Sequence, residues 1–171
     1  VKTVILLRHG KSDWGTDFDT DHERPLAKRG RNAAATMGVL LARIEQVPDR
    51  ALTSSAVRAR ETVERAAEAG NWSCPVVPAP ELYASSPATV LARVREEDDA
   101  ASSLLLAGHE PTWSALASDL MGGGLLRFPT AAMARIDLEI DSWSRVDVDR
   151  GVLVWFLIPR LLKAAGIGPS S

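Results

Sequence analysis

A single cysteine, Cys74, in 171 residues excludes an internal disulfide and falls short of any multi-cysteine zinc cluster. An excess of positive charge is also missing: 20 Lys and Arg stand against 22 Asp and Glu, a formal net charge of -2. That balance lacks the basic footprint of a nucleic-acid binder, so an acidic ligand must be met by a few locally placed cations. No long hydrophobic run occurs. The most apolar stretch, Val152 to Ile158, is far short of the ~20 residues that a membrane-spanning helix needs, and the N-terminus runs into a strand pattern without a signal-peptide cleavage site. The expectation is a soluble, cytoplasmic protein with no nucleic-acid or membrane partner. Repeats, low-complexity tracts and interdomain linkers are absent from the sequence too. What is there reads as one domain over residues 1–160 and a loosely held tail over 161–171, able to bury roughly 70% of its unfolded surface.

Thr3 to Leu7 is a short β-branched and apolar run that stops at Arg8-His9-Gly10, the pattern of a buried strand followed by a polar turn. A loop carrying Asp13, Asp17, Asp19, Asp21 and Glu23 leads to a helix over about 26–44, with Ala34, Met37, Leu41 and Ile44 on one face. Ala51 to Thr53 reads as a second strand. Ser54-Ser55 then offer N-cap chemistry to a helix over 56–69 that stops at Gly70. Val76-Val77 is a brief strand, Ser86 precedes a helix over 87–96, and Ser103 to Ala107 is a third apolar run ending at Gly108-His109. The following helix aligns Trp113, Leu116, Ala117 and Leu120 and breaks at Gly122-Gly123-Gly124. Met133 to Ile140 alternates apolar and polar residues, as a half-exposed strand near a sheet edge does. Val152 to Ile158 is apolar on both faces and fits a central strand. This order predicts a three-layer α/β/α sandwich on a mostly parallel sheet with an antiparallel strand.

Three polar groups follow strands: Arg8-His9-Gly10, Ser54 to Arg58, and Gly108-His109-Glu110. The carboxyl ends of parallel strands share one rim, so these distant segments converge. Arginine presents a rigid fork suited to phosphate oxygens, and helix starts add N–H groups and dipole. Two His and at least two Arg therefore describe a pocket for a phosphoryl group. No HExxH pair, CxxC pair or spaced carboxylate set accompanies the histidines, so no metal and no cofactor is expected. A neutral imidazole can attack phosphorus and split the transfer into two steps.

The segment Leu7-Arg8-His9-Gly10-Lys11-Ser12-Asp13-Trp14 resembles the RHG signature of the histidine phosphatase superfamily, the group containing the phosphoglycerate mutases, and in particular its short SixA-type phosphohistidine phosphatase branch. Further matches follow in order: Arg24-Pro25-Leu26 with Gly30, the run from Thr53 to Thr62, Ala107-Gly108-His109-Glu110-Pro111, and Phe128-Pro129-Thr130. The resemblance extends to about Pro159 and implies a phosphoglycerate mutase-like fold. It implies that His9 is the phosphorylated nucleophile and that Arg8, Arg58 and His109 hold the phosphoryl oxygens, with Lys11 and Ser12 as second contacts.

Three carboxylates compete for the role of proton donor. Glu81 precedes a leucine where the mutase-like branch has its glutamate after one; Glu110 resembles the aspartate position of the acid phosphatase branch; Asp13 lies near the nucleophile. A protonated imidazole is already a good leaving group, so a phosphohistidine substrate needs little acid help. Between Thr62 and His109 there is no room for a capping insertion, which implies an open site. The substrate expected is a phosphorylated protein, or else a small phosphate ester; a catalytically weak phosphate-binding regulatory domain is the other class. Oligomeric state is not readable from the sequence. His22 reads as a solvated loop residue, Arg60 as a surface charge, Cys74 as an unreactive thiol, and Glu96, Glu97, Asp98 and Asp99 as a solvated helix end. Trp14 is placed at the site mouth, and Trp113, Trp143 and Trp155 in packing roles.

Overall fold

In a computed structural model that describes residues 1–168, strand β1 (Lys2–Arg8) is buried on both faces. Val4 and Leu6 turn to one side and Ile5 and Leu7 to the other, the period-two alternation of a strand. Strand β4 (Ser103–Gly108) repeats this, with Leu104 and Leu106 opposite Leu105 and Ala107. Each face carries its own core. Helices α3 (Pro87–Val94) and α4 (Thr112–Met121) cover one, through Val90, Leu91, Val94, Trp113, Leu116, Ala117 and Leu120. Helices α1 (Lys28–Arg43) and α2 (Val57–Gly70) cover the other, through Met37, Leu40, Leu41 and Val63. The result is the three-layer α/β/α sandwich that the element order implies.

With β2 (Arg50–Thr53), β3 (Val76–Pro78), β5 (Met133–Leu138) and β6 (Gly151–Leu157), the sheet has the order β3-β2-β4-β1-β5-β6. The first four neighbours are parallel, and β5 is antiparallel to both β1 and β6. One strand placement differs from expectation: β6 is an edge strand, not a central one, while β5 lies near that edge, one strand in from it. A run apolar on both faces does not require two neighbours: Leu153, Phe156 and Ile158 pack on one core and Trp155 and Leu157 on the other, while Val152 and Val154 remain 63% and 48% exposed. Pairing of Ile136 with Leu153 and of Arg135 with Trp155 leaves Val154 as an extra residue, a bulge of the kind that blunts an open edge.

Helix α5 (Pro159–Ala164) occupies the start of the segment expected as a tail from Leu161. Leu162 is buried on the α1 and α2 side of the sheet. Full burial of one leucine contributes about 1.5–3 kcal/mol, which docks a helix too short to persist alone; the part of that tail at 169–171 lies outside the described residues. Another departure is Glu97. It is buried, not solvated, with Arg93 Nη1 at 2.6 Å and Arg50 Nε at 2.8 Å, so the carboxylate ties α3 to β2 and is compensated twice over. Asp99 is engaged too, accepting the Trp143 backbone N–H at 2.7 Å. Among the described residues no helix is long and apolar enough to cross a membrane.

Candidate active site

Parallel register levels three strand ends. β1 pairs Arg8 with Gly108 of β4, and β4 pairs Ala107 with Thr53 of β2, so His9, Ser54 and His109 emerge on one rim. Trp113 Nε1 donates to the Leu7 carbonyl at 3.0 Å, locking α4 to the end of β1. A side chain at Gly108 would collide with that indole. Gly10 is similarly required: a Cβ there would lie 2.7 Å from the Gly30 carbonyl oxygen, so only glycine lets the turn after His9 rest on the start of α1.

His9 is buried and its Nδ1 lies 2.7 Å from the Gly10 carbonyl. A carbonyl only accepts, so Nδ1 carries the hydrogen and Nε2 keeps its lone pair. That lone pair accepts a long hydrogen bond from Arg58 Nε at 3.4 Å. The His109 ring stands with its centroid 5.2 Å from that of His9. Arg58 Nη2 lies 3.5 Å from His109 Nδ1, and Ser54 Oγ is 2.7 Å from Nε2. A serine hydroxyl can donate or accept, so Ser54 can support either neutral tautomer of His109.

Burial depresses both imidazoles. Desolvation, reinforced by Arg58, Arg8 and Arg24 and opposed by the Gly10 bond, lowers His9 to about 4. Desolvation and then the neighbouring His9 and Arg58 lower His109 to about 3. Both rings are therefore neutral at pH 7, and His9 has the protonation state of a nucleophile.

The remaining wall is cationic. Arg8 donates through Nη1 to the Phe128 carbonyl at 2.7 Å, and its buried Nε makes no hydrogen bond within the described residues. Burial lowers the Arg8 pKa and nearby Glu110 partly offsets this. Arg24 reaches Ser12 Oγ at 2.5 Å and Asp21 Oδ1 at 2.8 Å, and its guanidinium lies over the Trp14 ring at 3.7 Å, a cation–π contact. The cleft holds about 390 Å³ and is open on one side.

Of the residues singled out in the sequence, Arg8, His9, Lys11, Ser12, Arg58, His109 and Glu110 all line this cleft. Glu110 Oε2 accepts from Ser114 at 2.7 Å, while its buried Oε1 has no partner among the described residues. Glu81 lies elsewhere: it is exposed, 4.0 Å from Arg93, because the 3-10 turn at Pro80–Leu82 buries Leu82 and turns Glu81 out. Asp13 is spent on the Gly15 N–H at 2.8 Å and does not line the cleft. Arg60 is on the surface beside Glu64 at 3.7 Å, as its place two residues from Arg58 implies. Cys74 is half-buried, and burial raises its thiol pKa. Trp14 does stand at the mouth.

Sequence reasoning assigned no site role to four residues. Ser54 belongs to His109 and, contrary to expectation, neither it nor Ser55 caps α2, which starts after Ala56 without a side-chain cap. Ser55 instead meets His22 Nε2 at 2.9 Å, and the His22 ring packs edge-on against Tyr83, so His22 is an anchored residue and not a solvated one. Arg24, Asp21 and Tyr83, with Ala84 and Thr130, complete the cleft. Arg24 does belong to the Arg24-Pro25-Leu26 match, but for Asp21 and Tyr83 the sequence offers only the spacing of Asp21 three residues before Arg24 in a polar loop, a weak signal.

Residues 4–84 match the histidine phosphatase superfamily, branch 1. An uncharacterized protein of Mycobacterium tuberculosis is 36% identical over 90% of this chain and 100% of its own length. Among solved structures, the protein histidine phosphatase SixA complexed with tungstate superposes with a TM-score of 0.80 at 26% identity, covering 94% of this chain and 99% of that one. A SixA protein of Agrobacterium tumefaciens gives 0.77 at 28% identity, covering 92% and 98%. Likeness over more than nine-tenths of both chains, on a cleft that presents a neutral histidine among arginines, means that this protein belongs to the SixA-type branch of the histidine phosphatase superfamily and is a phosphatase.

Proposed function

We propose that the chain removes the phosphoryl group from phosphohistidine on a protein, by way of a phosphorylated His9. The observation that carries this is the His9 ring itself: Nδ1 is held by Gly10, and the unprotonated Nε2, which accepts only the long bond from Arg58 Nε, lies in the cleft that both residues line. In the first step His9 Nε2 attacks phosphorus. The new N–P bond forms as the bond to the leaving group breaks, and the leaving imidazole departs neutral, having arrived protonated. Water then attacks the phosphoryl group, the bond to His9 breaks, and phosphate is released with His9 neutral again.

Arg8, Arg58 and His109 supply donors to the three phosphoryl oxygens, whose charge they stabilise without a metal. His109 Nδ1 points toward Arg58 and His9. To donate there it must carry the hydrogen, and the Ser54 hydroxyl can then donate to Nε2 in return. Lys11 and Ser12 lie at the edge of the same space. The stretch between α2 and β4 is filled by β3, a 3-10 turn and α3, and of its residues Tyr83 and Ala84 line the cleft. An open cleft admits a residue projecting from a protein surface; the SixA relatives support the same substrate class.

A second reading is favoured by Glu110. Its partnerless Oε1 in the cleft wall is suited to protonate an alkoxide, the leaving group of a small phosphate ester. Incubating the protein with a panel of phosphohistidine proteins and phosphate esters tests the two. Turnover of phosphohistidine at least tenfold faster than of any ester supports the first; the reverse supports the second.

A further inference from the structure

Asp21 is an anion placed inside a cationic cleft. Its Oδ1 accepts from Arg24 Nη2 at 2.8 Å, and its Oδ2 accepts from Arg58 Nη2 at 2.9 Å and from the Tyr83 hydroxyl at 3.1 Å. Its backbone carbonyl accepts from Arg58 Nη1 at 2.6 Å. Two guanidinium groups and a phenol converging on one carboxylate form an oxyanion seat in their own right. Burial disfavours ionisation of Asp21, but the bonds from Arg24 and Arg58 outweigh it and hold the carboxyl below the usual carboxylate range. The seat is therefore filled by a full negative charge at neutral pH.

We infer that Asp21 determines specificity: by occupying the Arg24–Arg58–Tyr83 seat with the chain's own carboxylate, it admits a substrate with one phosphoryl group and turns away one with a second anion beside it. Resting on the phosphatase reading above, this names the selectivity of that same site. Asp21 engages the outer side of the Arg58 fork, Nη1 and Nη2, and leaves Nε and the inner hydrogen of Nη2 turned toward His9 Nε2 and His109 Nδ1. One guanidinium thus serves two anions, the built-in one and the phosphoryl group to be transferred.

A substrate carrying a carboxylate or a second phosphate next to the reacting group would seek the seat that Asp21 holds and would meet like charge instead. Half of the Asp21 side chain is exposed toward solvent. A leaving group bearing an N–H or a positive charge, such as a protonated imidazole, finds an acceptor there. Glu110, which also lines the cleft, adds to the effect, whereas Lys11 and Arg8 act against it.

The test measures binding of tungstate and of pyrophosphate to the full chain by calorimetry at pH 7, for wild type, Asp21→Asn and Asp21→Glu. Asparagine keeps the shape and loses the charge. Pyrophosphate binding is expected to tighten at least tenfold in Asp21→Asn, with tungstate binding changed less than threefold and Asp21→Glu retaining wild-type discrimination. In parallel, KM for a phosphohistidine peptide is expected to rise about tenfold in Asp21→Asn with kcat changed much less. Equal changes for both anions, or none, would reduce Asp21 to a structural clamp and overturn the inference while leaving the phosphatase reading intact. Failure of the wild type to bind tungstate at all would overturn both.

Discussion

Arg58 Nε points at His9 Nε2 across 3.4 Å, so the lone pair that attacks phosphorus and a donor that receives its oxygens open onto the same space. Arg58→Ala is expected to lower kcat/KM by at least 10²-fold, the scale on which loss of a transition-state donor acts. Arg60→Ala, whose side chain sits on the surface beside Glu64, should stay within twofold of wild type. Equal losses in steady-state assays would refute this placement of the two arginines.

Ser54 holds His109 from behind at 2.7 Å without lining the cleft. Ser54→Ala should keep the fold, since one buried hydrogen bond contributes about 1 kcal/mol to stability. It should lower kcat about tenfold and shift the pH–rate profile, because His109 loses the group that fixes its tautomer. An unchanged profile would remove Ser54 from the site.

How far the site was legible in the sequence divides along one line. His9, Arg58 and His109 follow directly on strand ends or a helix start, where local pattern and parallel topology together dictate position. Asp21, Arg24 and Tyr83 reach the cleft from irregular segments, whose path depends on contacts such as Ser12–Arg24 and His22–Ser55 that have no period to read. β6 shows the same limit in the fold. Its composition records that both faces pack, but not that its outer edge lacks a partner. Glu97 was misplaced because a charged run looks solvated unless its distant partner, Arg50, is known.

Glu110→Gln separates substrate classes. Proton donation to a leaving group contributes about 10²- to 10⁴-fold, which an alkyl phosphate needs and a protonated imidazole does not. Hydrolysis of phosphate esters should drop by about that range while phosphohistidine hydrolysis changes less than threefold. Glu81→Gln and Asp13→Asn, outside the cleft, should leave both unchanged. Loss of phosphohistidine hydrolysis equal to that of esters would contradict the reading.

The depressed histidines make stability depend on pH. His9 near 4 and His109 near 3 in the folded chain stand against about 6.5 when unfolded. Between pH 6.5 and about 4 the unfolded state binds more protons, so stability is full above pH 6.5 and falls as the solution is acidified through that window. Two such groups give a slope of up to about 2–3 kcal/mol per pH unit. Urea unfolding at a series of pH values should show this slope, and His109→Gln should reduce it by about half. An unchanged slope in the variant would mean that His109 is not held neutral.

The most direct measurement is to trap the phosphorylated enzyme. Brief incubation with a phosphohistidine protein, an alkaline quench and mass spectrometry of the digested chain should find an acid-labile phosphoryl group on the peptide containing His9, formed equally well in the presence of EDTA. The adduct should be absent from His9→Ala, and turnover in that variant should fall by at least 10³-fold. Wild-type turnover by His9→Ala, or an adduct on a different residue, would contradict a histidine nucleophile at the end of β1.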